Sequence, residues 1–376
     1  MATRKDPTPT SSLNEVLTIE QREVEGLSQG TIVRRRFFRH RGAMAAMIFL
    51  GLLVILIYSS IGFELFGLTI PGWYPNTYLQ RFDIALPGGA PTWVLPFNFG
   101  PFPFGQDEIG RDIFALVMRG AQQSIVVMVT YGVVAGILGI LVGAIAGFYR
   151  GWVDSVLMRF TDVIIIIPFL ILAAVIGRAT GGLGAFVLAI ALGLFGWTAL
   201  ARLVRGEFLG LREREFVDAA RVAGASNPHI LFRHILPNAM GVVIVAISLL
   251  MSGAILTEAA LSFLGVGIQA PDVSLGQILN QYQGAFSTRP WLFWWPGLFI
   301  IAIALCVNFI GDGLRDAFDP RQRRMPGKHG PYRQVFGAMV GNFGGGGRYD
   351  TDREDAEKAD VVEVSYADDE LRKESD

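Results

Sequence analysis

The chain has 376 residues, 52% of them hydrophobic and 17% charged, with a net charge of −1 and a mean hydropathy of +0.43. Soluble domains average about 25% charged residues, so this balance excludes an ordinary soluble protein and points to a chain that crosses a membrane several times. One cysteine, Cys306, excludes an intrachain disulfide, and the four histidines are scattered without ligand spacing, so no protein-bound metal is expected.

The first 30 residues are polar and lack an apolar h-region, so no cleavable signal peptide is expected and the first apolar run serves as an uncleaved anchor. Six runs reach the length of about 20 residues that a helix needs to cross a bilayer. They fall at about Ala43–Gly67, Ser124–Phe148, Val156–Ile176, Gly184–Leu203, Ala239–Phe263 and Phe293–Ile310. The expected architecture is therefore an all-α polytopic membrane protein with six transmembrane helices. Basic residues set its orientation. Arg34, Arg35, Arg36, Arg39 and Arg41 precede the first run, Arg150 and Arg159 flank the loop between runs two and three, Arg205, Arg212, Arg214, Arg221 and Arg233 lie between runs four and five, and Arg315, Arg321, Arg323, Arg324 and Lys328 follow run six. The alternate loops are poorer for their length: 68–121 carries Arg81, Arg111 and Arg119, and 265–290 carries Arg289. Both termini are thus expected in the cytoplasm. The division is a cytoplasmic tail over 1–37, a membrane domain over 38–325 and a tail over 326–376.

The long loop 68–121 is rich in proline and aromatic residues, which favours an ordered, irregular cap. It would either meet an external partner or shield the mouth of the bundle. Run two carries Gly132, Gly136, Gly139, Gly143 and Gly147 near one helix face, where small residues let helix backbones approach. The approach would be within this subunit, across a subunit boundary or along a moving seam. Pro168 removes a backbone bond from run three and is expected to kink it. Asp162, at the start of that run, is expected to pair with an arginine such as Arg159.

Between runs four and five lies Glu215–Pro237, EFVDAARVAGASNPHILFRHILP. It is polar, basic and rich in helix formers, and it reads as two short helices joined at Gly224, a residue suited to the left-handed conformation that ends a helix. Asn227 is the expected N-cap of the second helix, with Pro228 at its first position. Pro237 is expected to mark re-entry to run five. By composition alone this is an amphipathic loop lying on the membrane surface. Late in run five, Glu258 is a carboxylate that must face protein or water rather than lipid, either in a structural pairing or at a pathway gate. Asp312 and Arg315, at the end of run six, are expected to pair or cap locally. Past Pro326 the chain turns glycine-rich, then acidic, and is expected to be a disordered tail. Its GGGG run lacks the Lys-Ser/Thr that a phosphate-binding P-loop requires.

The loop between runs four and five resembles the EAA loop of ATP-binding-cassette (ABC) permeases. Their pattern is Glu-Ala-Ala, three residues, Gly, nine residues, then Ile-x-Leu-Pro. Asp218, Ala219, Ala220, Gly224, Leu236 and Pro237 occupy those positions, with Asp218 in place of the glutamate and His234 where isoleucine is usual. The likeness extends over about 34–325. RRRFFRHRGAMAAMIFLG, FGQDEIGRDIFALVMRGAQQSI, GFYRGWVDSVLMRFTDVIIIIP, GWTALARLVRGEFLGLREREFVDAARVAGAS, ILTEAALSFLGVGIQAPDVSLGQIL and NFIGDGLRDAFDPRQRR are similar to successive segments of the C-type permeases for dipeptides and oligopeptides.

This resemblance implies one half of a type I ABC importer. Its partners would be a paralogous B-type permease, two cytoplasmic ATPase subunits that bind ATP-Mg and grip the coupling loops, an external substrate-binding protein and the lipid bilayer. The chain itself would bind no cofactor and catalyse nothing, and nothing in it points to nucleic acid. The same machinery serves nickel chelates and other small solutes in related permeases. An ion-coupled secondary transporter would need internal inverted repeats and midplane ionisable residues, and an intramembrane enzyme would need a catalytic pair at membrane depth. The sequence shows none of these.

Overall fold

The computed structural model describes residues 29–65, 68–93 and 100–318. Residues 1–28 and the tail expected over 326–376 lie outside that set. The first described element is a helix, α1 (Gln29–Arg39), so the last part of the expected N-terminal tail is ordered. His40 has an extended backbone, and its Nδ1 accepts from the Ala43 amide at 3.0 Å. This cap ends α1 and starts α2 (Arg41–Ile61).

Helix α2 stops short of the expected Gly67. Gly62, at φ 70°, turns the chain into an antiparallel hairpin of β1 (Gly62–Leu65) and β2 (Leu68–Pro71), with Gly62 opposite Pro71. A Cβ at Gly62 would lie 2.1 Å from the Ile70 carbonyl oxygen, so only glycine fits this corner. The irregular segment that follows is tied internally. Gln106 accepts from the Ala85 amide at 2.8 Å and donates to the Asp83 carbonyl at 3.1 Å.

Helix α3 (Ile113–Tyr149) begins well before the expected Ser124, and the loop expected over 68–121 therefore ends at Asp112. Capping and burial explain the difference. Asp112 accepts from the Phe114 and Ala115 amides at 2.8 and 3.4 Å. The polar residues of the extra turns face protein: Gln122 donates to the Ile57 and Gly62 carbonyls at 3.1 and 2.8 Å, and Arg119 pairs with Asp272 at 2.7 Å. A helix of 37 residues is about 55 Å long at ~1.5 Å per residue. It outruns a hydrocarbon core of ~30 Å, so its polar start stands beyond the lipid tails.

The third and fourth apolar runs are broken helices. Helices α4 (Gly151–Ile166) and α5 (Phe169–Thr180) meet at 79°, and α6 (Ala185–Gly196) and α7 (Thr198–Leu211) meet at 46°. Pro168 does more than kink the run. Ile167 is extended, as a residue preceding proline prefers, and α5 starts afresh with the Ile171 and Leu172 amides on the Pro168 carbonyl. The second break contains no proline. There Gly196 lies directly against the Tyr131 ring, where an added Cβ would sit 2.0 Å from the hydroxyl oxygen.

Helices α9 (Asn227–Phe263) and α11 (Trp291–Phe318) are again long and apolar enough to cross a membrane, and the short α10 (Leu275–Tyr282) lies between them. Among the described residues this makes four unbroken candidate spans, or six with each bent pair taken as one. The glycine row of α3 packs inside the subunit. Gly132 and Gly136 face Met251 and Ile247 of α9, while Gly139, Gly143 and Gly147 face Leu200, Ala201 and Phe208 of α7. A Cβ at Gly143 would lie 2.4 Å from the Ala201 carbonyl oxygen, the close backbone approach that small residues permit.

Candidate functional site

The segment joining α7 to α9 folds as a two-limbed elbow. Its first limb is α8 (Glu215–Val222), introduced by the extended Arg214. Val217 and Ala220 are buried, one turn apart, while Phe216, Asp218 and Ala219 are exposed. The limb ends as its sequence suggests. The Ala225 amide donates to the Ala220 carbonyl and the Gly224 amide to the Arg221 carbonyl, both at 3.0 Å, with Gly224 left-handed at φ 80°. These two bonds and the positive φ make a Schellman stop.

The second limb differs from expectation at both ends. Its N-cap is Ser226 rather than Asn227, which lies inside the first turn with Pro228. Pro237 does not separate the limb from the fifth span, because α9 runs through it as one helix. A wide π turn over Ile230–Ile235 precedes the proline, and the Leu236 amide bonds back to the Leu231 carbonyl. Such a turn displaces the carbonyls that a proline ring would otherwise strike. Asn238 donates its side-chain amide to the His234 carbonyl at 2.6 Å. The second limb and the fifth span are therefore one rod.

The inner face of the elbow is a hydrophobic core. Val217, Ala220, Ile230, Leu231 and Ile235 pack with Leu200, Val204 and Phe208 of α7 and with Ala144 and Phe148 of α3. Phe208, Ile230 and Ile235 have no exposed surface, and each such burial contributes ~1.5–3 kcal/mol. An amphipathic loop lying on lipid would turn these residues to the bilayer; here the subunit's own helices cover them. The outer face is open, with Val222 90% exposed and Phe216 and Phe232 also exposed. Of the residues matching the EAA pattern, Asp218, Ala219, Gly224 and Pro237 are exposed, Leu236 is half-buried and Ala220 belongs to the core. Asp218 pairs with Arg221 at 2.8 Å across one turn, an exposed contact of small energetic weight.

Charges fasten the two broken spans to each other and to the base of the elbow, and pattern reading missed most of them. Arg205 of α7 grips Asp154 of α4 through two bonds of 2.5 and 2.6 Å. Arg202, one turn earlier, pairs with Asp162 at 2.5 Å. Asp162 was expected to pair with Arg159 on its own helix, but α7 brings Arg202 to it instead. Arg150 pairs with Glu213 and holds that carboxyl below the usual carboxylate range, and Arg212 donates to the Phe148 carbonyl. In α4 the one buried residue is Thr161, so charge rather than apolar packing dominates its attachment to α7. Comparing helix faces would have found the signal: Asp154 and Asp162 are two turns apart on α4, and Arg202 and Arg205 are one turn apart on α7.

Glu258 is fully buried in α9 and meets hydroxyls rather than a cation. Ser124 of α3 donates to Oε2 at 2.7 Å and Ser262 to Oε1 at 2.8 Å. Ser262 also accepts from the Ile268 amide at 3.1 Å, and Ser274, a further partner of Glu258, caps α10 by accepting from the Gln277 amide at 3.1 Å. One carboxylate thus ties three segments together. Asp312 and Arg315, expected to pair or cap locally, form no ion pair with each other; neighbouring Asp316 reaches His40 Nε2 at 3.4 Å. Among the described residues no group of three His, Cys, Asp or Glu could hold a metal.

Residues 139–324 match the family described as the binding-protein-dependent transport system inner membrane component. Residues 28–84 match the N-terminal TM domain of oligopeptide transport permease C. The chain is 36% identical over 304 residues to the oligopeptide transport system permease protein OppC of Mycobacterium tuberculosis (strain ATCC 25618 / H37Rv), covering 80% of this chain and 98% of that protein. It is 37% identical over 306 residues to OppC of Haemophilus influenzae, covering 81% and 93%. A solved chain of the MetNI methionine ABC transporter, in an inward-facing conformation, is similar with a TM-score of 0.46 at 21% identity, covering 55% of this chain and 98% of that one.

Proposed function

Because this chain belongs to the C-type permeases of binding-protein-dependent ABC importers, we propose that it forms half of a pathway for di- or oligopeptides and takes its work from separate ATPases at the elbow. The relatives named oligopeptide permeases support the substrate class. A paralogous B-type permease completes the pathway, two cytoplasmic ATPase subunits bind ATP-Mg, and an external binding protein delivers the peptide. The placement of the basic residues supports cytoplasmic termini and a cytoplasmic elbow in the cell membrane.

One observation carries the mechanical reading: the elbow is packed on its inner face and bare on its outer one. A partner that grips Phe216, Asp218 and Val222 moves the elbow as a body, because close-packed helices shift as units. The motion leaves by two routes. The second limb is continuous with α9, so a tilt there reaches the fifth span directly. The first limb is packed on α7, which carries α4 through the Asp154–Arg205 and Asp162–Arg202 pairs. Helix α4 ends at the 79° break before α5, so the push arrives at the one joint where the third span can bend. The chain's part is to transmit force and shape a passage; nucleotide chemistry belongs to the partners.

Isolation and reconstitution test this. The chain should co-purify with an ATPase, and peptide uptake into liposomes should need that ATPase and the binding protein. Peptide transport by this chain alone would contradict the proposal.

A further inference from the structure

The start of α1 through α2 presents a surface that the coupling reading does not use. Helix α1 reads QGTIVRRRFFR. Its Ile32, Val33 and Phe37 are half-buried, and the helix packs against α11. Its position is therefore held by protein, and the His40–Asp316 contact at 3.4 Å pins the corner that follows. Arg34, Arg39 and Arg41 remain exposed, and no acidic partner among the described residues reaches them. Beside them Phe38 is 56% exposed, with its ring edge-on to Phe37 at 5.9 Å.

The depth of this patch follows from α2. Its exposed apolar side chains begin with Ala45 and continue through Ile48, Phe49, Leu52 and Ile55. Ala45 is one turn beyond Arg41, about 6 Å along the axis. The polar layer of each leaflet is roughly 5–8 Å deep, so Arg41 stands at the level of the headgroups, with Arg39 two residues before it. A cluster of cations with an exposed phenyl ring, on a helix beside a span, suits a surface that is anionic outside and apolar just beneath. The acidic tail would meet the charges but leave Phe38 in water. Orienting the chain during insertion needs the charges alone, with neither a fixed helix nor the ring.

We infer that α1 and the arginines around it bind anionic phospholipid headgroups of the cytoplasmic leaflet, a surface distinct from the elbow. The inference rests on the cytoplasmic placement of the N-terminus proposed above. Each arginine near an anionic surface is worth about fivefold in affinity, and three together about a hundredfold.

The test uses the assembled complex in neutral detergent, titrated with short-chain phosphatidylglycerol or phosphatidylcholine, with bound lipid counted by native mass spectrometry. Substituting R34Q, R39Q and R41Q together should lower phosphatidylglycerol affinity about a hundredfold and leave phosphatidylcholine unchanged. The triple R34K, R39K and R41K should stay within about fivefold of the parent, since it keeps the charge. Equal phosphatidylglycerol affinity in the parent and the glutamine triple would overturn the inference. So would displacement of the lipid by equimolar glycerol 3-phosphate, which would mark a site for a soluble anion. A chain ending at residue 325 should bind the lipid as the parent does; a tenfold gain or more would show that the acidic tail covers the patch, and would overturn it too. Failure of the coupling reading would appear separately, as absence of the ATPase from the same preparation.

Discussion

Replacing Gly224 isolates the contribution of elbow shape. The residue sits at φ 80°, and a Cβ added there meets nothing within 4 Å. Steric conflict with the rest of the chain is therefore absent, and the effect of a substitution is carried by the backbone. Alanine in the left-handed region costs about 1–2 kcal/mol, a shift of roughly 5- to 30-fold away from the bent form. Asparagine costs less, because its side chain supports that conformation. Proline holds φ near −65° and has no amide hydrogen, so it forbids the turn and removes the 3.0 Å bond to the Arg221 carbonyl. Peptide-stimulated ATP hydrolysis by the reconstituted complex should follow the order parent, Gly224→Asn, Gly224→Ala, Gly224→Pro, with the last abolished and membrane levels of the chain unchanged. Wild-type stimulation in Gly224→Pro would refute the reasoning. An alanine variant as inactive as the proline one would also refute it, because the backbone term alone predicts a graded loss.

The ion pairs between α4 and α7 should behave as one coupled unit: Arg205→Asp should reduce stimulated hydrolysis, and adding Asp154→Arg should restore part of it, with an interaction energy of about 0.5–3 kcal/mol in the double-mutant cycle. Strictly additive losses would show that the pair transmits nothing. Glu258→Ala leaves the Ser124, Ser262 and Ser274 hydroxyls without their acceptor, so the apparent melting temperature of the purified complex should fall, at about 1–3 kcal/mol for each buried donor left unpaired. Glu258→Gln should retain part of that stability, and an unchanged melting curve for the alanine variant would contradict the clasp. Gly143→Leu should prevent α3 from seating against α7, since even a Cβ there comes within 2.4 Å of the Ala201 carbonyl oxygen; normal accumulation of that variant in the membrane would argue against the close approach.

Much of this fold is legible because lipid imposes one rule, that backbone polar groups be satisfied within the segment. That rule turns apolar length into helices, and all six expected runs correspond to helices or bent pairs. Errors arise where protein rather than lipid surrounds the chain. Arg119 reads as loop, and Gln122 and Gln123 fall outside the expected second run, because they are polar, yet their partners lie on other segments, at Asp272, Ile57 and Gly62. Likewise Pro237 reads as a helix end, since the π turn that accommodates it has no signature in residue type. At the elbow, Gly224 is legible because a Schellman stop is a local event governed by one φ angle. The Asp154–Arg205 and Asp162–Arg202 pairs are not, because each joins residues 40 or more apart in sequence, and choosing among the available arginines requires knowing which helices are neighbours.

Whether the bare face of the elbow is held by an ATPase can be read from a single cross-link. With Cys306→Ser as background, Val222→Cys places a thiol on the first limb at a position that is 90% exposed. In sealed vesicles of known orientation it should cross-link to the ATPase subunit from the cytoplasmic side and be protected there from a membrane-impermeant maleimide. Labelling from the opposite face, or a thiol that remains reactive and uncross-linked in the assembled complex, would contradict the account.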